Sequence, residues 1–295
     1  MKWQTVRGSI GRTKAAAAVT LAVALAFLCG CAAPGRVLGP TQPRPSDAKR
    51  SDVVLATTTV VRDSGLADAM KSAFEGAYPQ YRIRIADAGV GASRQGNGAQ
   101  AGVALVDAVA KNGLDARSRG AQSKLAMLTD FVLVGPSDDP AGAAKSDSAA
   151  GAFKAIAATK RTFASVGDDS SVRAKEASLW AQANVSTKGK PWHLVSSDST
   201  AALTTAAAKG GYTLVFKASW LAAKPSLKGL RSIRDGGEAL VDTFETLIPG
   251  VRVLPGASVL ENWITGPAGQ GVIGGFGVRE FGQSVFKPIA PMVSP

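Results

Sequence analysis

The segment Val53-Val-Leu-Ala-Thr-Thr-Thr-Val-Val-Arg-Asp-Ser-Gly-Leu66 joins a short apolar run to a polar turn and then to the start of a helix. Residues 53–57 have the length and composition of a buried strand. Four large apolar residues then recur at every fourth position and predict one face of an amphipathic helix that begins near Asp63. They are Leu66, Met70, Phe74 and Tyr78. A strand that passes through a hydroxyl-rich turn into a helix is a building unit of α/β folds.

The same alternation of strand and helix patterns continues along the chain. Further strands are predicted at residues 81–85, 131–134, 162–165, 212–216, 246–248 and 251–254. Further helices are predicted at residues 149–159, 172–183 and 258–264, and residues 266–277 are rich in glycine. Strands that alternate with helices predict an α/β protein whose lobes contain largely parallel sheets.

Length and charge narrow the class of protein. Eight of the 34 basic residues and two of the 22 acidic residues precede Val53, so residues 53–295 carry 26 basic and 20 acidic residues. These 243 residues suit two lobes better than one core. The charges are scattered, without a basic run and without interleaved aromatic residues, which argues against a nucleic acid partner. They support no more than a mild preference for anionic ligands or lipids.

The first thirty residues have the pattern of a secretory signal peptide. The chain opens with basic residues and no acid, and residues 15–28 form an apolar run. At 1.5 Å per residue this run is too short to cross a hydrocarbon core of about 30 Å, but it suits a cleavable signal. The sequence Leu28-Cys29-Gly30-Cys31 resembles the lipobox of bacterial lipoproteins, so Cys31 is expected to be lipidated and to become the mature N-terminus. An ordinary secretory signal and a transmembrane anchor are the alternatives.

Residues 31–52 are expected to form a tether between the membrane and the folded part of the protein. They contain Pro34, Pro40, Pro43 and Pro45 and lack apolar periodicity. The chain's two cysteines, Cys29 and Cys31, both precede the folded part. We therefore expect no disulfide there, and the fold must rely on a large apolar core.

Two polar turns, at residues 57–59 and 165–171, each lie between a predicted strand and a predicted helix, and their separation allows one in each lobe. A helix N-terminus presents unpaired N–H groups and about half a positive charge. With hydroxyl groups beside it, such a turn suits an anion. The candidate ligand-binding residues are Thr58, Thr59, Ser165, Ser170 and Ser171, together with Ser93 after the turn Gly89-Val-Gly91. The alternative is that Asp63, Asp168, Asp169 and the serines only cap helices.

No sequence motif indicates catalysis, a cofactor or a metal. The chain lacks a full dinucleotide-binding fingerprint, a Walker motif and a Gly-x-Ser-x-Gly elbow. Its single histidine, His193, has no cysteine or carboxylate cluster near it in the sequence. We therefore expect His193 to lie at the surface or in a turn, and we expect no catalytic residue, no metal and no cofactor.

Several stretches of the chain resemble, in the same order, the tungstate-binding proteins of bacterial ABC importers. Residues 55–66 contain the three threonines and the Asp-Ser-Gly-Leu of that family, and residues 130–142 resemble its crossing strand and turn. The other similar stretches are residues 163–180, 209–214, 262–270 and 276–286. The resemblance implies a type II periplasmic-binding-protein fold, with lobe I at residues 53–136 and 241–295 and lobe II at residues 137–240. It also implies an oxyanion held by hydroxyl groups, backbone amides and an arginine.

The chain departs from this family where the ligand should bind. Val60 stands where the family has serine, and Val166 stands where it has arginine. Val172 and Phe216 also replace polar residues of the family pattern. Each lost charge-assisted hydrogen bond removes about 1.5–3 kcal/mol. Arg94, Arg117 and Arg119, in the segment that diverges from the family, are the candidates to replace the missing arginine.

The sequence thus predicts an exported, lipid-anchored solute-binding protein of an ABC importer rather than an enzyme. Its expected partners are a small anionic solute such as tungstate or molybdate, an ABC permease and the membrane, and it is expected to act as a monomer. The alternative is a divergent relative with a degenerate oxyanion pocket, which acts as a sensor or interaction lipoprotein or binds an uncharged ligand.

Overall fold

The computed structural model describes residues 50–88, 102–115, 123–167, 170–248 and 255–289, which all fall within one unit of the chain, Asp47–Pro295. The strands are β1 Ser51–Thr57, β2 Tyr81–Asp87, β3 Val103–Asp107, β4 Ser123–Pro136, β5 Phe163–Val166, β6 His193–Ser196, β7 Tyr212–Phe216, β8 Leu230–Asp235, β9 Val241–Leu247 and β10 Phe286–Pro288. The expected signal peptide, Cys31, nearly all of the expected tether and Ser93 lie outside the described residues.

Ten α-helices accompany these strands in the described ranges. They are α1 Thr59–Asp63, α2 Leu66–Ala77, α3 Ala108–Asp115, α4 Ala149–Ala158, α5 Ser171–Gln182, α6 Ser199–Lys209, α7 Lys217–Ala223, α8 Ala257–Thr265, α9 Pro267–Gly275 and α10 Val278–Phe281. Short 3-10 turns occupy Ala143–Lys145, Lys224–Ser226 and Glu238–Leu240. No helix in these ranges has the length and apolar character needed to cross a bilayer.

Hydrogen bonds link the ten strands into two sheets that share β4. Sheet I has the order β2-β1-β3-β9-β4, with β10 also paired to the first half of β4. Sheet II has the order β4-β7-β5-β6, with β8 also paired to the second half of β4. The pairing of β4 changes between Asp130, which faces Val241 of β9, and Phe131, which faces Phe216 of β7.

The sheets are mixed, which corrects the expectation of largely parallel strands. The pairs β1–β2, β1–β3, β5–β6 and β5–β7 are parallel. The strands that pair with β4, and the pair β3–β9, are antiparallel. Parallel strands therefore occupy the outer part of each sheet, while β4 and β9 run against their neighbours. The division into lobes at residues 136 and 240 stays a prediction.

Aromatic clusters pack against each sheet. Phe74 of α2 meets Trp263 of α8 edge to face, with ring centroids 5.6 Å apart. On sheet II, Trp180 of α5 packs between Phe153 and Phe163, with centroids 4.5 and 5.0 Å away. The large side chains of these clusters are buried, so they account for much of the apolar area that folding removes from water.

Two helices differ from the sequence prediction. The helix expected to begin near Asp63 is in fact two helices, because α1 already begins at Thr59 and Gly65 separates it from α2. Gly65 has a φ of 87°, in the left-handed region that glycine adopts readily. Pro267–Gly275, which was recognised only as rich in glycine, forms helix α9. Proline at its first position supplies a helical φ without losing a hydrogen bond.

Candidate functional site

A cavity of about 670 Å³ lies where the parallel strands of both sheets end. The sheet I side is formed by the turn after β1 with the start of α1, by the last residues of β2 and β3, and by the start of α3. The sheet II side is formed by the start of α5, the start of α6, and α7 with the turn after it. Residues that follow the carboxyl ends of neighbouring strands are the usual ligand-binding positions of open α/β sheets. The cavity is therefore the candidate binding site.

Thr58 is the most informative hydroxyl of the cavity. Its backbone carbonyl accepts the first hydrogen bonds of α1, from Val61 and Arg62, and fixes the residue at the turn. The side chain is 7 % exposed, and its Oγ1 atom has no hydrogen-bond partner among the described residues. A buried hydroxyl without a partner has a free-energy cost of about 1–3 kcal/mol. A ligand atom that pairs with Thr58 would remove this cost.

The neighbouring threonines have different roles. The Thr57 hydroxyl donates a 2.8 Å hydrogen bond to the carbonyl of Leu105 and so ties β1 to β3. Thr59 is exposed within the cavity lining. Thr58 and Thr59, which were both predicted from the sequence, line the cavity.

Helix α5 supplies the opposite wall. Ser170 precedes the helix in an extended conformation, its carbonyl accepts from the amide of Ala174, and the residue lines the cavity. Ser171 is buried at the first helical position, beside the carboxyl groups of Asp107 and Asp242. Val172 lines the cavity next to these serines. The twelve-residue helix thus presents its amide end toward the cavity.

Ser165 is not among the lining residues that the structure describes. Its hydroxyl donates a 2.7 Å hydrogen bond to Oε2 of Glu176, which is 3 % exposed. The other oxygen of Glu176 accepts from Nε1 of Trp180 at 3.0 Å and lies 2.9 Å from Nε2 of His193. His193 therefore belongs to a partly buried cluster in β6, and the expectation that it lies at the surface or in a turn was wrong.

Four carboxyl groups line the cavity, and all four have partners among the described residues. Asp63 and Asp87 lie 3.2 and 3.9 Å from the guanidinium group of Arg62. Asp198 accepts a 2.9 Å hydrogen bond from the amide of Ala201 at the start of α6. This backbone hydrogen bond holds the pKa of Asp198 below its ordinary value.

Asp107 is the fourth carboxyl group, and its surroundings are different. It is 5 % exposed, and its Oδ1 atom accepts from the amides of Val109 and Ala110 at 3.0 and 2.9 Å. Burial raises the pKa of Asp107 to about 6, although these two hydrogen bonds oppose the shift. The nearby Asp242 raises that pKa further. Among the described residues, no lysine or arginine forms an ion pair with Asp107.

The apolar replacements fall into two groups. Val60, Val172 and Phe216 line the cavity. Val166 is fully buried in the core and is not among the lining residues that the structure describes. None of the described lining residues is lysine or arginine. Ser93 and the candidate arginines Arg94, Arg117 and Arg119 lie outside the described residues.

Sequence reasoning missed part of the lining. Asp198, Ser199 and Thr200 follow β6 and open α6, which repeats the strand, polar turn and helix arrangement of the other two turns. The sequence Ser197-Asp-Ser-Thr200 carried this signal, but the short strand β6 before it was not predicted. Asp107 was missed because strand β3, which it ends, was not predicted either. This strand lies in the segment that diverges from the family pattern.

Comparison with known proteins gives a consistent family. The profile of the PBP superfamily domain matches residues 43–252. The chain is 31 % identical over 261 residues to the putative ABC transporter anion-binding protein of Haloferax volcanii, covering 84 % of this chain and 75 % of that protein. It is 30 % identical over 289 residues to the tungstate-binding protein TupA of Peptoclostridium acidaminophilum, covering 92 % and 97 %.

Solved structures agree with these relatives. The tungstate-binding protein TupA of Desulfovibrio alaskensis superposes with a TM-score of 0.68 at 29 % identity, covering 82 % of this chain and all of that one. The tungstate ABC transporter structure from Geobacter sulfurreducens gives a TM-score of 0.65 at 30 % identity, with coverage of 75 % and 97 %.

Proposed function

The chain belongs to the PBP superfamily, and we propose that it captures a small oxyanion outside the cytoplasm and passes it to the permease of an ABC importer. Its fold is the type II periplasmic-binding-protein fold, as the sequence resemblance implied. The family is one of solute-binding proteins and not of enzymes.

One observation carries the proposed ligand class. The buried hydroxyl of Thr58, which has no partner in the part of the chain that the structure describes, and the N-terminus of α5 line the same cavity from opposite sheets. Hydroxyl and amide hydrogens are the donors that an oxyanion needs when it leaves water. Tungstate and molybdate are the leading candidates, because relatives with 29–30 % identity are tungstate-binding proteins.

The described lining also supports a second candidate ligand. Four carboxyl groups and no described basic side chain face the cavity, and Val60 and Val172 stand where the family pattern has polar residues. Such a lining favours an uncharged ligand with several hydroxyl groups, which donates hydrogen bonds to the carboxylates. A sensor or interaction protein with a degenerate pocket is the corresponding alternative function.

Calorimetric titration of the purified protein with tungstate, molybdate, sulfate and phosphate tests the proposal. Saturable binding of at least one of these ions, with one site per chain, is expected. The variant Thr58→Val should weaken it, because the variant keeps the shape of the side chain and removes the hydroxyl group. If no oxyanion binds between pH 5 and 9 while a polyhydroxyl compound does, the uncharged-ligand alternative replaces the proposal.

The attachment to the membrane is part of the same proposal. We propose that residues 1–30 are cleaved, that Cys31 carries lipid, and that residues 31–52 tether the binding domain to the membrane as a monomer. The pattern Leu28-Cys29-Gly30-Cys31 and the four prolines of the tether support this arrangement. A lipid anchor would keep a captured solute close to the permease that accepts it.

A further inference from the structure

We propose that Asp107 shares one proton with the bound oxyanion. The cavity then takes either an oxyanion that carries its own proton, or a fully ionised oxyanion together with one proton from solvent. This inference rests on the proposed function, because it concerns the same cavity. It assigns to Asp107 a role in selecting the protonation state of the ligand.

Asp107 shares a cavity with the residues that are proposed to bind the oxyanion. Asp107 lines the cavity together with Thr58 and Ser170, the two residues that stand at the start of α1 and α5. Its Oδ1 atom is held by the amides of Val109 and Ala110 at 3.0 and 2.9 Å. Oδ2 does not accept from these amides, although the Ser171 hydroxyl also lies beside this carboxyl group.

The charges around Asp107 make an ionised carboxylate incompatible with a neighbouring anion. The other lining carboxyl groups are held by Arg62 or by a backbone amide. Asp107 is nearly buried and, in the described part of the chain, forms no ion pair with a basic residue. Two negative oxygens in a buried site repel strongly, whereas one proton between them turns the repulsion into a hydrogen bond. A bound anion therefore favours the protonated form of Asp107 or a protonated ligand.

The groups that face Asp107 come from several elements. The charged groups on the elements packed around it are Lys111 of α3, Asp242 and Glu245 of β9, Lys175 of α5, Glu261 of α8, and Asp63, Asp87 and Asp198 of the cavity. Lys111 is engaged with Glu245 at 2.7 Å, and Glu261 is engaged with Lys124 at 2.6 Å. Asp242 is the competitor for the proton, since burial also raises its pKa, although it does not line the cavity.

Proton uptake on binding can be counted directly. Calorimetry at pH 8 in two buffers of different ionisation enthalpy gives the number of protons that enter the complex. Sulfate, molybdate and tungstate carry no proton at this pH, so any of them that binds should take up nearly one proton. Its dissociation constant should rise about tenfold per pH unit above pH 8. Phosphate, which carries one proton at pH 8, should bind with little uptake and with a nearly constant affinity.

Three variants separate Asp107 from its surroundings. Asp107→Asn keeps an oxygen for the amides of Val109 and Ala110 and offers N–H donors in place of the shared proton. This variant should bind the fully ionised anions without proton uptake and without the pH dependence. It should no longer favour phosphate over the fully ionised anions as pH rises above 8. Asp242→Asn tests the competitor, and Asp147→Asn removes one charge at an exposed position outside the cavity. Both should retain the uptake of the wild type.

Each outcome has a distinct meaning. Oxyanion binding by the wild type with no proton uptake, or with uptake that persists in Asp107→Asn, overturns the role of Asp107 and leaves the proposed function intact. Loss of uptake in Asp242→Asn alone assigns the proton to Asp242 and also overturns the inference. If none of the ions binds at any pH, the proposed function itself fails and the shared proton fails with it.

Discussion

The Ser165 hydroxyl donates a 2.7 Å hydrogen bond to Oε2 of Glu176, a carboxylate that is 3 % exposed. The opposite oxygen of that carboxylate is occupied by Trp180 and His193. A buried carboxylate is tolerated only when its oxygens have partners, so Ser165 stabilises the interior of sheet II. Ser165 is close in the sequence to cavity-lining residues such as Ser170, but its hydroxyl binds a buried carboxylate of the core.

Replacing Ser165 by alanine should therefore lower stability and leave oxyanion affinity unchanged. The variant leaves one oxygen of Glu176 without a donor, which costs about 1–3 kcal/mol in the free energy of unfolding. Urea denaturation measures the loss, and calorimetric titration measures the affinity. Ser178→Ala, at an exposed position of α5, the helix that carries Glu176, is the control and should change neither. Loss of affinity with unchanged stability in Ser165→Ala would place Ser165 in the binding site instead.

The adjacent residues Thr57 and Thr58 should differ from each other when each is replaced by valine. One replacement should mainly lower stability, and the other should mainly lower affinity. Thr58→Val removes a hydroxyl that has no described partner, so stability should be kept or slightly increased. Oxyanion affinity should fall about tenfold to a hundredfold, since a hydrogen bond to a charged group contributes about 1.5–3 kcal/mol. Thr57→Val breaks the bond to Leu105 and should mainly lower stability. Equal affinity losses in the two variants would contradict this assignment.

The sequence predicted the architecture better than the binding site. The spacing of Leu66, Met70, Phe74 and Tyr78 identified α2, because a helix that packs on a sheet needs one apolar face. The run 131–134 identified only the second half of β4, since its first half, Ser123–Asp130, mixes polar and apolar residues. That half pairs with β9 and β10. There the pairing with neighbouring strands, and not the local sequence pattern, determines that the segment is a strand.

The residues of the candidate site were harder to predict because the same residue types cap helices and bind ligands. Ser165 and Thr58 both precede helices, yet only Thr58 has a buried hydroxyl without a described partner. The difference depends on Glu176, which is eleven positions from Ser165 and comes back to it through the turn into α5. Sequence spacing alone gives no sign of such a contact. Asp107 was hidden for a related reason, since Ser171 of α5 and Asp242 of β9, which lie beside it, are distant in the sequence.

Asp107 should also make stability depend on pH in a predictable direction. Burial holds its pKa at about 6, above the ordinary 3.8, so the folded state binds this proton more tightly than the unfolded state. The wild type should therefore lose stability relative to Asp107→Asn as pH rises from about 4 to about 6 and show a constant difference above that. A pKa raised from 3.8 to about 6 corresponds to roughly 3 kcal/mol.

Denaturant unfolding at a series of pH values measures this difference, and Asp198 provides a control of opposite sign. The pKa of Asp198 is held low by the amide of Ala201, so its contribution is present above the ordinary pKa and is lost as pH falls. Relative to Asp198→Asn, the wild type should lose stability toward acid pH. A stability difference between wild type and Asp107→Asn that does not change with pH would show that the carboxyl group is solvated in the folded protein.

The lipid anchor is tested by Cys31→Ala in the full-length chain. Without the thiol no lipid can be attached, so the variant should leave the membrane fraction or accumulate as an uncleaved precursor. Fractionation and mass analysis of the mature N-terminus measure the outcome. Cys29→Ala is the matched control, because Cys29 is two residues away and is removed with the signal peptide in the proposed processing. A wild-type protein that is wholly soluble with an unmodified N-terminus would contradict the anchor.

Val60 offers a gain-of-function test of the cavity. It lines the cavity beside Thr58 and Thr59 and is only half-buried, so a serine there can present its hydroxyl to the ligand. Val60→Ser should raise oxyanion affinity about tenfold, because one hydrogen bond to a charged group contributes about 1.5–3 kcal/mol, reduced by the cost of ordering the side chain. Val60→Ala removes the same methyl groups without adding a donor, and it should bind no more tightly than wild type. Val166→Arg differs from both, since it would place a guanidinium group in a fully buried position and should unfold the protein before it can help a ligand. Calorimetry on the two Val60 variants decides the matter, and an equal gain in both would mean that added space, and not the hydroxyl group, limits binding.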